Sequence, residues 1–481
     1  MHNFKCKIIV SIFKFKEKMR VSATINSEFR IPNSELYRRI QMSAKVGLIS
    51  LGCPKNQVDA EMMLAKLGDA GFEITNSAEG ADIVIVNTCG FIEDAKKEAI
   101  ENILDMVSLK NEGLLSHIII TGCLAERYAD EVAKEFPEAD AVLGIGANGD
   151  IVAACKQVLA GEHKTAFPEK CLMPLEGDRV LTTPSHWAYL KVADGCSNCC
   201  SYCAIPLIRG KFRSREMESI LTEARALCED GVREIVLIAQ DTTRYGEDNY
   251  GKPMLPELLR RLCEIDFERI RIYYCYPDRI TDELISVMRE NEKIVNYIDL
   301  PLQHVSGSVL RAMNRRGDKE SLTVLLKKIK AQIPDCVIRT TFICGFPGES
   351  EADFTEVCDF VKEIGFDRMG AFAYSPEEDT PAATMENQID ERIKARRVEV
   401  LMNTQYNITI EKNKSYIGKT FAVMTDSYDT DSCLYFGRSY MDAPEIDTGV
   451  YFASERELHP GDMVTVEILD FDEYDLIGKE L

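Results

Sequence analysis

Basic charge falls short of acidic in this 481-residue chain: 57 Lys and Arg stand against 79 Asp and Glu, a formal net charge of −22. Binding along a nucleic-acid backbone draws on Lys and Arg to replace condensed counterions, so the charge argues against broad phosphate-driven binding and no stable RNA binding is expected. A basic protein partner would be attracted instead. An export leader and a membrane anchor are also lacking from the reading. The apolar stretch near the start, Ile8-Ile-Val-Ser-Ile-Phe13, is short, is followed by Lys14, Lys16 and Lys18, and leads to no small-residue cleavage site or spanning segment. Residues 1–44 are expected to be a basic N-terminal extension or an over-long start, with Met19 or Met42 as the first residue. Without an export signal, the 17 cysteines read as reduced thiols of a cytoplasmic protein, free for metals, and not as a disulfide framework.

What the chain does have is a concentrated set of thiols. Cys196, Cys200 and Cys203 lie in Asp194-Gly-Cys-Ser-Asn-Cys-Cys-Ser-Tyr-Cys203, directly after the apolar run Trp187-Ala-Tyr-Leu-Lys-Val192. Three thiolates spaced C-x3-C-x2-C can hold three irons of a [4Fe–4S] cube and leave the fourth iron open to a small molecule. The same residues also parse as Cys196-x2-Cys199 and Cys200-x2-Cys203. Zinc sites usually separate such pairs by a dozen or more residues, so Cys199 reads as a passenger. S-adenosylmethionine on the open iron would place its sulfonium beside an electron donor and yield a radical able to take hydrogen from an unactivated carbon. Tyr202 is a candidate to lie beside its adenine, against the alternative of an ordinary loop aromatic.

The rest of the chain falls into three segments. From 45 to 160 short apolar runs alternate with helical patterns, as in a doubly wound parallel sheet. Val46–Gly52 leads to Cys53, Ile83–Thr88 to Cys89 and Ile118–Gly122 to Cys123, and a helix pattern such as Val58–Leu67 opens after each. Strand carboxyl ends form the ligand crevice of such sheets, so these three thiols are expected to converge on a second, auxiliary cluster. From 182 to 410 six runs recur with helices between them: Trp187–Ala193, Glu234–Asp241, Arg269–Tyr276, Tyr297–Gln303, Val337–Cys344 and Arg368–Tyr374. That count predicts a partial (β/α)6 TIM-like barrel with its site at the strands' C-terminal ends. A charged helix, Ile389 to roughly Lys412, leads out. From 413 to 481 short β runs with turns predict a small antiparallel β-barrel. The stretch Lys412–Leu481 holds 6 basic and 15 acidic side chains, a net of −9, the wrong sign for an oligonucleotide-binding barrel.

Further residues are candidates for the cofactor pocket. Thr341-Phe-Ile-Cys-Gly-Phe-Pro-Gly-Glu349 ends a strand in glycines, and Gly345 would let backbone approach a ligand. Asp299, Gln303 and His304 fall near another strand terminus; Gln303 is a candidate S-adenosylmethionine contact, while His304, one of six histidines, reads as a satisfied structural residue. Arg209-Gly-Lys-Phe-Arg-Ser-Arg215 would hold a carboxylate or form a solvated basic turn. Cys275 and Cys344 read as buried small hydrophobes.

These pieces together resemble the radical S-adenosylmethionine methylthiotransferases over nearly all of 45–481. Ser50-Leu-Gly-Cys-Pro-Lys-Asn56, Asn87-Thr-Cys-Gly-Phe-Ile92, Ala239-Gln-Asp-Thr-Thr-Arg-Tyr-Gly246 and Ala443-Pro-Glu-Ile-Asp447 are similar to the RimO type, which modifies a ribosomal protein, more than to the tRNA-modifying MiaB type. The resemblance implies an N-terminal methylthiotransferase domain, a radical core and a C-terminal TRAM barrel. It implies two [4Fe–4S] clusters, one on Cys196, Cys200 and Cys203 and one on Cys53, Cys89 and Cys123. It also implies S-adenosylmethionine as radical source and methyl donor, an electron donor, and an aspartate β-carbon of small-subunit ribosomal protein twelve as target. The acidic terminal barrel would then dock the basic ribosomal protein. The departures from the pattern are residues 1–44 and Cys199. Two alternatives stand beside this reading: a tRNA adenosine methylthiotransferase, and a non-catalytic iron–sulfur or zinc-binding protein.

Overall fold

A strand buried along its whole length must be covered on both faces, and Ile83–Thr88 is such a strand. The computed structural model describes residues 44–481; the basic extension lies outside the described residues apart from position 44. The chain divides into two compact units, one running to Thr183 and including Leu207–Arg209, the other formed by Pro184–Pro206 and Gly210–Leu481.

In the first unit β1 (Lys45–Ser50), β2 (Glu73–Thr75), β3 (Ile83–Thr88), β4 (His117–Gly122), β5 (Ala141–Leu143) and β6 (Lys164–Ala166) form a sheet of order β2-β1-β3-β4-β5-β6. Every pairing is parallel. Alternate residues serve opposite faces. Val84, Val86, Ile118 and Ile120 pack under Ala99, Ile103 and Met106 of helix Glu93–Asn111. Ile83, Ile85 and Ile119 pack under Ala60, Met63 and Leu67 of helix Pro54–Asp69 and Ile151 and Ala154 of helix Ile151–Leu159. This is the doubly wound arrangement read from the apolar runs.

The second unit opens with β7 (Trp187–Lys191), followed by the short antiparallel pair β8 (Ala193–Asp194) and β9 (Arg213–Ser214). Then come β10 (Glu234–Ile238), β11 (Arg269–Ile272), β12 (Ile294–Asp299), β13 (Val337–Cys344) and β14 (Arg368–Ala373). β7 and β10 to β14 pair in parallel and in chain order, as a six-stranded open barrel does. Helix Glu391–Tyr416 leads to β15 (Thr420–Asp429), β16 (Leu434–Arg438), β17 (Val450–Ala453), β18 (Met463–Asp472) and β19 (Asp475–Glu480). These close into a small barrel. Its seams are antiparallel except for β17 with β19, which run parallel.

The segment between β16 and β17 is tied to the six-stranded sheet at the strands' N-terminal ends. Glu234, the first residue of β10, accepts from Arg271 at 2.8 Å and from Arg438 at 2.5 Å. Arg269, the first of β11, donates to the carbonyls of Arg438 and Ala422, both at 2.8 Å. Arg368, the first of β14, reaches Asp442 at 2.7 Å, and the Tyr297 hydroxyl donates to Asp447 at 2.7 Å. The string Ala443–Asp447 therefore belongs to a plug on the end of the barrel away from the cysteine loop. Asp426, Asp442 and Asp447, three of the acidic residues counted in the terminal segment, are engaged by Arg438, Arg368 and Arg339.

Burial alone would raise the Glu234 pKa, but Arg438, Arg271 and Arg269 overcome it and hold the carboxyl at about 2, below its ordinary 4.5. Breaking a buried ion network by removing one partner costs about 3–5 kcal/mol. Glu234→Gln is therefore expected to lower stability by that amount in urea unfolding at neutral pH. Because the folded-state pKa is depressed, the difference from the parent chain is complete above the ordinary carboxylate pKa and shrinks as pH falls from 4.5 toward about 2. A gap independent of pH across that window contradicts the charged assignment.

Candidate metal and cofactor sites

Cys53, Cys89 and Cys123 each stand just past the end of one of three adjacent parallel strands. Neighbouring strands lie about 4.8 Å apart, and the register Ser50↔Asn87, Asn87↔Thr121 and Thr88↔Gly122 brings the three ends level. Local sequence then shapes each turn. Cys53 caps helix Pro54–Asp69, with Pro54 at its first position. Cys123 opens the short helix Cys123–Arg127 after Gly122. Asn56 fastens the turns by donating to the carbonyls of Leu51 at 2.7 Å and Asn87 at 3.2 Å. Gly52, at φ +92°, leaves room for Cys89: a Cβ there would lie 2.7 Å from the Cys89 sulfur.

The three thiols act on one another. Burial pushes Cys89 up to about 12, with Cys123 and Cys53 adding to the shift, and burial pushes Cys123 up to about 11. Facing them within this unit is Arg209. Arg209, 2 % exposed, bonds Asp59 at 2.6 Å, Asn56 at 3.1 Å and the Cys123 sulfur at 3.5 Å. The sequence offered a carboxylate holder or a solvated turn for Arg209–Arg215; the structure instead buries both ends. Arg215 pairs with Glu223 at 2.5 Å and donates to the Lys191 carbonyl at 2.8 Å.

In the second unit Cys196, Cys200 and Cys203 share one loop beyond β7 and β8. Gly195, at φ +77°, lets the loop leave the strand against Lys211. Asn198 donates to the buried carboxylate of Asp241 at 2.8 Å and accepts from Arg244 at 2.9 Å. Cys196 N donates to the Gly210 carbonyl at 3.1 Å, and Ala382 N to the Ser201 carbonyl at 2.9 Å. Burial raises Cys196 to about 11 and Cys203 to about 12, each further affected by Cys200. Cys199 is exposed in a left-handed conformation, φ 53°, and its sulfur turns back to the Ser197 carbonyl at 3.7 Å. Among the described residues no three His, Cys, Asp or Glu converge as ligands of one metal ion. A cube asks for something different, thiolates that neighbour one another while each binds a separate iron. Within each trio the thiols are near enough to raise one another's pKa, and Gly52 leaves room for the Cys89 side chain.

The remaining candidates are placed variously. Tyr202 is half buried beside Cys200, Cys203 and Arg315, and burial raises its hydroxyl well above the ordinary value. Gln303 is left-handed at φ 71° and bridges to Phe342 at the C-terminal end of β13. His304 is buried; its Nδ1 accepts from Ser306 N at 3.0 Å, but Nε2 has no hydrogen-bond partner, so it is only half satisfied. Burial lowers its pKa to about 4. The space beside Gly345 is taken by the stem of Lys394. Asp299 is held by Arg339 at 3.0 Å, and Cys275 and Cys344 are buried. Sequence reading missed Asn198, Asp241 and Arg244 as a brace for the cysteine loop, although Asp241 and Arg244 lie in a string it had singled out.

Residues 45–144 match the uncharacterized protein family UPF0004, 190–361 the radical SAM superfamily and 417–480 the TRAM domain. The ribosomal protein uS12 methylthiotransferase RimO of Caldanaerobacter subterraneus subsp. tengcongensis is 50% identical over 436 residues, 90% of this chain and 99% of the relative. Its counterpart in Lachnoclostridium phytofermentans is 47% identical with the same coverage. The chain belongs to the RimO family. RimO of Clostridioides difficile is 48% identical over 91% of this chain and 99% of its own. Among solved structures, the radical S-adenosylmethionine methyltransferase TsrM of Kitasatospora setae aligns at TM-score 0.53 and 12% identity, covering 81% of this chain and 79% of that one. At that identity the likeness shows the fold, which it shares with this RimO-family chain.

The Gly52 cradle is testable by itself. Gly52→Ala places a methyl group on the Cys89 side chain at a positive φ, and such backbone strain costs about 1–3 kcal/mol. Urea unfolding of the variant is expected to show at least that loss; an unchanged midpoint contradicts the packing described.

Proposed function

We propose that this chain is a ribosomal protein uS12 methylthiotransferase that replaces a hydrogen on the β-carbon of a uS12 aspartate with a methylthio group. The observation that carries the reading is the pair of thiol trios, each set past the carboxyl ends of a parallel sheet, in a member of the RimO family. Cys196, Cys200 and Cys203 would hold a [4Fe–4S] cluster with one iron left for S-adenosylmethionine, and Cys53, Cys89 and Cys123 a second cluster that stages the sulfur. When bound, S-adenosylmethionine on a reduced cluster supplies a hydrogen-abstracting radical and, from a further molecule, the methyl group.

The residues of the chain do the positioning. Asn198, Asp241 and Arg244 fix the loop that presents the three radical-cluster thiols. Tyr202, next to the thiols, and Gln303, on a left-handed backbone at a strand end, would line the cofactor. Arg209 sets a fixed positive charge beside Cys123, suited to an anionic cluster. The acidic surface of the terminal barrel, reduced by the three inward-facing aspartates, suits docking of a basic ribosomal protein. An electron donor and a cytoplasmic location complete the proposal; among the described residues no helix is long and apolar enough to cross a membrane.

Two variants separate the trios. Cys200→Ala is expected to abolish formation of 5′-deoxyadenosine from S-adenosylmethionine. Cys89→Ala is expected to keep part of that cleavage and to stop methylthiolation of uS12, read by the mass of the modified protein. Full product from either variant contradicts its assignment. Cleavage that depends on added tRNA and not on uS12 would contradict the substrate.

A further inference from the structure

The helix Gly307–Ala312 runs into Met313-Asn-Arg-Arg-Gly317, a stretch that no ligand spacing or glycine pattern marks. In the fold it lies along the radical-cluster loop. Ser201 donates to it twice, from N to the Met313 carbonyl at 3.0 Å and from Oγ to the Ala312 carbonyl at 2.7 Å. Asn314, left-handed at φ 56°, reaches back to the Cys199 carbonyl at 2.8 Å. That contact accounts for the conformation of Cys199, whose backbone is gripped while its sulfur stays outside.

Arg315 completes the row. It is 8 % exposed, its guanidinium lies 4.2 Å from the centre of the Tyr276 ring, and Nη2 donates to the Pro301 carbonyl at 2.8 Å. Nη1 points at the Cys200 sulfur at 3.8 Å, and the Tyr276 hydroxyl approaches the same sulfur at 4.0 Å. Burial opposes the charge on Arg315, and the groups that face it are Tyr202, Cys200 and Tyr276, none of them a carboxylate. A buried guanidinium held by stacking and one carbonyl, and aimed at a thiol, is a costly arrangement until an anion arrives. A metal-ligating thiolate at Cys200 supplies that anion.

We propose that Arg315 is a positioning residue that sets the reduction potential of the cluster on Cys196, Cys200 and Cys203, by donating a charge-assisted hydrogen bond to the Cys200 thiolate. Hydrogen bonds to the sulfurs and local charge are what set such potentials. A fixed cation favours the state carrying the extra electron, so it makes the cluster easier to reduce. The inference rests on the ligand assignment under Proposed function.

The test uses full-length protein reconstituted anaerobically with iron and sulfide. Arg315→Met keeps the stem and removes the charge; Arg315→Lys keeps the charge and loses the planar fork. An EPR-monitored redox titration follows the signal that changes on adding S-adenosylmethionine, which isolates this cluster. At parental iron content the Met variant is expected to titrate at a more negative potential, with Lys between. Formation of 5′-deoxyadenosine with a fixed reductant is expected to fall roughly tenfold to a hundredfold in the Met variant. An unchanged potential in an iron-replete Met variant overturns the proposal. If Met loses the cluster and Lys keeps it, an unchanged potential in Lys overturns it equally. Loss of the cluster in both variants also overturns it, because Arg315 then shapes the loop and leaves the electron's energy alone. If the parent protein itself lacks the signal, the ligand assignment fails, and the inference fails with it.

Discussion

Parallel strands held about 4.8 Å apart by their ladders end in a row, and side chains just past those ends are delivered to a common edge. The first unit uses this directly. β1, β3 and β4 are consecutive neighbours in register, and each is followed at once by a turn that presents one cysteine. No thiol needs a long or strained approach, since the sheet itself sets their spacing. Where the chain has to crowd, glycine gives way, as Gly52 does against Cys89.

The second unit solves the same problem from one loop, and its solution is correspondingly braced. Three thiols on a short segment have no ladder between them to fix their separation. Neighbouring segments do that work: Asp241 and Arg244 beyond β10 grip Asn198, and Ala312–Asn314 grip Ser201 and Cys199. At the other end of the same strands the terminal barrel closes the sheet through Glu234, Arg269, Arg271 and Arg438. The barrel, which the family resemblance casts as an acidic docking module, is a structural floor, and part of its acidic charge is committed to that role.

Much of this was legible in the chain because the signals are local. Ile83-Val-Ile-Val-Asn-Thr-Cys89 states a buried strand, its end and its thiol within seven letters, and six apolar runs mark the six strands of the second unit's parallel sheet. The C-x3-C-x2-C spacing is equally compact. What escaped the sequence is made of partners far apart in it. Arg438 meets Glu234 across 204 positions and Arg315 meets Cys200 across 115, and no periodicity joins either pair. Gly345 has a distant partner of the same kind: the stem of Lys394 lies where a side chain at that position would stand. Arg209 looked like one member of a basic turn, and only the fold reveals that Asp59 and Asn56 have taken it inside.

The central claim is that each thiol trio carries its own iron–sulfur cube. Diffraction from anaerobically reconstituted crystals, recorded on both sides of the iron absorption edge, addresses it most directly. The account predicts two separate iron clusters, one contacted by Cys53, Cys89 and Cys123 and the other by Cys196, Cys200 and Cys203, with Cys199 touching neither. A single iron cluster, or anomalous signal at either trio that follows the zinc edge, would contradict it.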